Sequence, residues 1–332
     1  RNRGGVVLSQ DQQRVYCPSA KGLHALRSDN GKVVWKLAVG DAIEGSPVED
    51  SGVVYSVTTA GNVYALDAVN GQRRWPKPVR LDGACHASPA IGALHVYAHT
   101  DPGNLTAISR KTGKIAWRLS HDVEREFLVE GHGAALVRGD VVYAGWPDGK
   151  LSALSRRDGG LLWEVQLGQR NKSPYVDVDT TPVSVSTAAG VQALLAVGYN
   201  SGLQARAAAN GRLLWHYAAD GLGQPVVDGG KVWSVGVDAV LHAIDRRTGR
   251  RFMARRVGGI PSGALAVAHG VVFVPGDGGL QLIDASSGFG LTRVIDEHGF
   301  AAAPLVVGDR LYIVSNGGQA FALQLYGVAK GG

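Results

Sequence analysis

Apolar and polar positions alternate along this chain in runs of five or six residues, and each run ends at a polar turn that contains glycine. That period of two predicts half-buried strands, and the glycine turns predict hairpins between them. One unit recurs: LHALRSDNGKVVW, VYALDAVNGQRRW, LTAISRKTGKIAW, LSALSRRDGGLLW, LQARAAANGRLLW, LHAIDRRTGRRFM and LQLIDASSGFGLT. Its turn glycines, Gly31, Gly71, Gly113, Gly159, Gly211, Gly249 and Gly288, are 40, 42, 46, 52, 38 and 39 residues apart. Tryptophan stands four residues beyond the glycine at 35, 75, 117, 163 and 215, with Met253 and Thr292 in its place later. An eighth unit, APLVVGDRLYIVSNGGQAFALQL, stops before its glycine-tryptophan strand.

Each unit also has a middle strand carrying an aromatic: Tyr16, Tyr55, Tyr97, Tyr143, Trp233, Phe273 and Tyr312, with Leu195 in the fifth unit. Pro47, Pro89, Pro182, Pro225 and Pro304 start an inner strand upstream of it. Four short strands in a unit of about 40 residues, repeated eight times, predict an all-β, eight-bladed β-propeller with four-stranded antiparallel blades. Residues 1–332 read as a single domain. The alanine of the third strand (Ala25, Ala65, Ala107, Ala153, Ala243, Ala322) is expected to let blades approach, with the tryptophan covering the space between them. At the turn, Asn30, Asn70, Thr112, Asp158, Asn210, Thr248 and Ser287 precede the glycine and can bond the turn backbone, while glycine takes the positive φ.

Composition narrows the functional classes. Forty-seven glycines in 332 residues, about 14%, are double the usual share, without the G-X-Y period of collagen. Cys17 and Cys85 cannot make a disulfide framework or a four-thiolate zinc site. No apolar run approaches the length of about 18 residues that a membrane helix needs. There is no GxSxG, HExxH or Walker A motif. The net charge of +6 permits an acidic partner, but the basic turns lack the interleaved aromatics of a nucleic-acid platform.

The repeat, a strand of the form LxAL followed by turn, glycine, three residues and tryptophan, resembles the PQQ-like repeat of quinoprotein dehydrogenases and of non-catalytic propellers. With DVDTTPV (residues 177–183) in the fifth unit, the chain is most similar to the BamB family of outer-membrane β-barrel assembly lipoproteins. The resemblance implies a non-enzymatic scaffold without cofactor, on the periplasmic side of the outer membrane of a Gram-negative bacterium. Its implied partner is the core assembly subunit through that subunit's periplasmic domains, not nucleic acid. The family's partner-facing aspartates fall on Asp177 and Asp179, and its second contact loop on EFLVEGHG, with Phe127, Leu128, Val129 and Glu130 at its centre. Val129 or Glu130 stands where the family has arginine. The membrane would be met only through a lipid anchor. Cys17 lies in a strand and is not that anchor, so residues upstream of Arg1 are expected to be missing. Otherwise the eighth blade lacks its outer strand or takes it from LYGVAKGG. The alternative reading is an extracellular ligand-sensing PQQ-like domain of a receptor or kinase. A quinone enzyme would use adjacent cysteines, and here the two are 68 positions apart.

Propeller topology assigns loops to faces. Turns between the third and fourth strands carry Arg110, Lys111, Arg156, Arg157, Arg246 and Arg247, among others, and predict a basic face. Connections on the other side carry Asp41, Asp82, Asp101, Asp177, Asp179, Asp238, Asp277 and Glu297 and predict an acidic one suited to electrostatic docking. Three positions before the inner-strand proline stand Glu44, His86, His132 and Asp179, a set of ligand types suited to zinc or another divalent ion at the channel mouth.

Overall fold

In the computed structural model, which describes residues 4–101, 103–121, 133–168, 176–186 and 190–326, the glycine turns close hairpins that join into eight successive antiparallel sheets. Each sheet is one blade with strands in chain order, here A to D from first to last. Blade 1 runs through Val7–Leu8, Arg14–Ser19, Gly22–Arg27 and Val33–Ala38. Blade 5 runs through Val183–Ser186, Gln192–Gly198, Gly202–Ala207 and Leu213–Tyr217. No helix occurs among the described residues. The A strands of neighbouring blades touch one another and so surround the central axis. Five of them begin directly after Pro47, Pro89, Pro182, Pro225 and Pro304. Proline is tolerated there because the first strand position can do without an N–H.

The expected turn chemistry is present. Asn30, Asn70 and Asn210 each accept, through Oδ1, the backbone N–H two residues on, at 2.9–3.1 Å. The glycines between them sit at φ near +71°, a region that costs other residues a clash at Cβ. A second role is not visible in the repeat. A Cβ on Gly71 would lie 2.7 Å from the Trp35 ring, and Gly113, Gly159, Gly211 and Gly249 face Trp75, Trp117, Trp163 and Trp215 in the same way. Each indole lies flat on the turn of the following blade. Its Nε1 donates to a carbonyl there: Trp35 to Ala68, Trp75 to Arg110, Trp117 to Arg156, Trp163 to Ala208 and Trp215 to Arg246, at 3.0–3.2 Å. The tryptophans therefore fasten blade to blade, with the middle-strand tyrosines packed behind them at 5.7–5.9 Å between ring centroids. Where Met253 replaces the indole, Lys231 Nζ reaches the equivalent carbonyl of Ala285 at 3.4 Å.

A β-bulge aims the indoles. Ala25 pairs with Trp35 but Leu26 with Val33, so Val34 is extra, and the same slip recurs at Ala107, Ala153, Ala205, Ala243 and Leu282. A bulge turns the strand and redirects a side chain, which lets consecutive apolar residues be partly exposed and then buried. Blade 2 departs from the expected D strand. Its Trp75 is followed by Pro76 and Pro78, which lack the N–H for a ladder, and only Val79–Arg80 pairs as a strand.

Blade 8 has three strands among the described residues, Leu305–Val307, Arg310–Val314 and Ala320–Gln324. An apolar cavity of about 500 Å³ lies against that last strand, lined by Leu291, Val294, Leu311, Leu323 and Tyr326 among others. LYGVAKGG, the alternative source of an outer strand, lies mostly outside the described residues. The ring closes by packing: Val6, Val15 and Cys17 of blade 1 form one cluster with Tyr312 and Val314 of blade 8. Cys17 is buried and its thiol is pushed up to about 12 by burial.

Candidate functional site

DVDTTPV is the connection from blade 4 into blade 5, on the face that carries the B–C turns and D–A connections. It is wedged between blades: Val178 N–H donates to Trp146 O at 3.1 Å, and Tyr199 N–H to Asp177 O at 3.0 Å. Val176 and Val178 are buried, and Gly145 leaves room for the latter, since a Cβ there would meet Val178 at 2.4 Å. Thr181 ties two neighbouring connections together. Its Oγ1 accepts Ala134 N–H at 2.9 Å, and its own N–H donates to Gln224 Oε1 at 2.8 Å. Ser46 and Ser88 repeat this device, with Gly5 N–H donating to Ser46 Oγ and Ser46 N–H to Ser88 Oγ. A hydroxyl or amide before the inner proline thus links neighbouring A strands. The dipeptides Ser46-Pro47, Ser88-Pro89, Thr181-Pro182 and Gln224-Pro225 carry that signal in the sequence.

The two aspartates differ. Asp177 is 2% exposed, so its carboxylate is not part of the outer surface. Asp179 is half-buried; both aspartates line a small cavity with His86, His99 and Asp101. Burial raises the Asp179 carboxyl above the ordinary value, which favours the neutral form. Phe127, Leu128, Val129 and Glu130 lie outside the described residues, as does His132.

Of the three candidate metal ligands among the described residues, Glu44 and His86 are bonded, and Asp179 lines the same small cavity as His86. His86 Nδ1 is 3.0 Å from Glu44 Oε2, and its Nε2 is 3.7 Å from Asp101 Oδ2. Equivalent positions in adjacent blades are therefore close enough to pair. Even so, no group of three or more His, Cys, Asp or Glu side chains among the described residues is arranged to hold a metal ion.

A cluster that the repeat pattern does not flag lies at the end of the D strand of blade 3, Ile115–Ser120. His121 stacks on Trp146 (4.5 Å, 11°) and bonds Asp148 Oδ2 through Nε2 at 2.9 Å. His99 meets the edge of the same indole, and Trp146 Nε1 donates to Ser152 Oγ, which donates to Glu164. Burial, together with the neighbouring His121, lowers His99 to about 4 despite its hydrogen bond to Gly133 O. Burial opposes ionisation of Asp148, but the hydrogen bond and charge of His121, with Lys150, outweigh it and hold the carboxyl below its usual range. The signal in the sequence is Trp146, a tryptophan in a B–C turn.

The charge pattern is less one-sided than the C–D turns imply. The A–B turns lie on the same face as the C–D turns and bring Glu49, Asp50, Asp140 and Asp228 to it. Arg110 pairs with Asp50 and Arg156 with Asp140. On the D–A side several acids cap turns instead of standing free: Asp41 accepts from Thr59 and Ala60, and Asp82 pairs with Arg118. What this face presents outward is a mixture. Asp238, Asp277 and Glu297 are exposed, beside Val237, Ile260 and Ile295, which are 67%, 65% and 79% exposed.

Comparison with known proteins bears on the family and the fold. The family whose model matches residues 19–255 is described as outer membrane protein assembly factor BamB. A relative of that same description from Yersinia pestis is 27% identical over 331 residues, covering 93% of this chain and 81% of its own. The crystal structure of BamB from Moraxella catarrhalis superposes with a TM-score of 0.84 at 20% identity, over 98% of this chain and 97% of that one. A quinone-dependent alcohol dehydrogenase subunit from Gluconobacter oxydans is 31% identical, but over only 26% of this chain and 14% of its own.

Proposed function

Because this chain belongs to the family of outer membrane protein assembly factor BamB, we propose that it is a non-enzymatic scaffold in outer-membrane β-barrel assembly. It docks the periplasmic domains of the core assembly subunit, on the periplasmic side of the outer membrane of a Gram-negative bacterium. The observation that supports this reading is the face of the D–A connections and B–C turns, which exposes the aliphatics Val237, Ile260 and Ile295 together with the acids Asp238, Asp277 and Glu297.

The parts of the face contribute differently in this proposal. Asp179 and the segment with Phe127, Leu128, Val129 and Glu130 supply contacts from blades 3 to 5. Asp177 supports the connection from within, since its side chain is buried. Acids bring the partner in from a distance, and the desolvated aliphatics hold it. The test is capture of the purified core subunit's periplasmic domains on this chain. Alanine at 127–130 together with Asp179→Asn should weaken capture, while the melting temperature stays within a few degrees. Undiminished capture by that variant would remove this segment from the interface.

A further inference from the structure

The opposite face holds a cavity with a cationic group that the fold leaves unsatisfied. Three arginines occupy the position three residues before the turn glycine: Arg110, Arg156 and Arg246. Two are answered within the fold. Arg110 pairs with Asp50 and donates to Tyr55 Oη at 3.3 Å and Gly92 O at 3.0 Å. Arg156 pairs with Asp140 at 2.7 Å. Arg246 forms no ion pair among the described residues, and its Nε is buried without a hydrogen-bond partner.

Strand register explains the difference. Val48 lies opposite Tyr55 in blade 2, and Val183 opposite Leu195 in blade 5, so Val185 takes the place of Asp50 and Leu195 that of Tyr55. In blade 6, Val226 opposite Trp233 corresponds to Leu136 opposite Tyr143, which puts Gly230 where blade 4 has Asp140. Each side chain that answers an equivalent arginine, Asp50, Tyr55 or Asp140, has been replaced by an apolar residue or by glycine. The space is kept open: a cavity of about 600 Å³ is lined by Arg246, Arg138, Ser184, Ser186 and Gln192. Arg138, the last residue of the A strand of blade 4, has no carboxylate partner among the described residues either.

A cavity of this size suits a small organic molecule. Two guanidinium groups with hydroxyl and amide donors around them suit one that carries an oxyanion. We propose that this cavity is a binding site for a small solute bearing a phosphate or carboxylate group, held by Arg246 and Arg138. The site is on the face away from the proposed docking surface and does not depend on that reading.

The test is isothermal titration of the whole chain with inorganic phosphate and, separately, with citrate at low ionic strength. Arg246→Gln removes one of the two cations, the one whose Nε is buried without a hydrogen-bond partner. Gly230→Asp installs the missing counter-charge, at a position where an added Cβ meets no atom within 4 Å. Arg157→Gln, an exposed arginine of a neighbouring turn, controls for net charge. Wild type and Arg157→Gln are expected to bind one of the probes saturably, and Arg246→Gln and Gly230→Asp about tenfold more weakly or worse. Melting temperatures establish that both variants are folded. Saturable binding of phosphate alone assigns a phosphoryl ligand, and of citrate alone a carboxylate. The proposal is overturned if neither probe binds saturably, or if Arg246→Gln and Gly230→Asp bind as wild type does.

Discussion

Gly31 and Gly71 provide an internal control for how the blades are fastened. Both are the glycine of the C–D turn, with φ of +71° and +72°. They differ in what lies above them: a Cβ on Gly71 would be 2.7 Å from Cδ2 of Trp35, whereas one on Gly31 meets nothing within 4 Å. Alanine at either position bears the same backbone strain, about 1–2 kcal/mol for a left-handed conformation. At Gly71 it must also displace an indole packed against Tyr16 and bonded to Ala68 O. Overpacking of that kind costs about 1–3 kcal/mol. Gly71→Ala should therefore be less stable than Gly31→Ala by about 1–3 kcal/mol, at about 2–4 °C of melting temperature per kcal/mol. Urea denaturation, followed by the intrinsic tryptophan signal, measures both variants, and the m-value checks that only stability has changed. Equal losses in the two variants would refute the idea that the indole on the next blade's turn fastens the ring.

Further outcomes follow from the same geometry. Thr181→Val keeps the shape but removes the acceptor of Ala134 N–H, so it should lose about 1–3 kcal/mol in the same denaturation assay. Asp177→Asn should lower the melting temperature more than Asp179→Asn, because only Asp177 is fully enclosed. Both thiols, pushed up to about 12 by burial, should resist an aromatic disulfide reagent at pH 8 until the protein is denatured. His99 is held at about 4 in the fold against an ordinary value of 6.5, so protonation favours the unfolded chain. Its contribution is complete above pH 6.5 and falls away towards pH 4, by up to about 3 kcal/mol, and His99→Gln should flatten that part of the stability profile.

The architecture is largely legible in the sequence, because hairpin turns and strand alternation are local. The glycine after Asn30, Asn70 or Asn210 encodes its own turn, and a repeat of such turns encodes a ring of blades. Contacts between blades are less legible. The tryptophan reads as a cover, yet its partners, such as the Ala68 carbonyl for Trp35, lie 33 residues on and appear only when blades stack. The D strand of blade 2 is shorter than the repeat suggests, because the tryptophan register implies a full strand that Pro76 and Pro78 prevent. Charge is harder still. A count of C–D arginines hides the A–B aspartates that neutralise Arg110 and Arg156, and only register shows that Arg246 has lost its equivalent. The repeat also gives no sign that Asp177 is fully buried while Asp179 is only half-buried on the same small cavity, since both stand in one short polar run.

Docking of the core assembly subunit on the D–A face is tested most directly by measuring that subunit's periplasmic domains binding to this chain. Wild type is compared with two charge reversals. One carries Asp238→Lys, Asp277→Lys and Glu297→Lys on the D–A face, and the other Lys111→Glu and Arg157→Glu on the opposite face. Saturable binding by wild type is expected, about tenfold or more weaker in the first variant and unchanged in the second. No binding by the folded wild type, or a loss confined to the second variant, would overturn the assignment of this face.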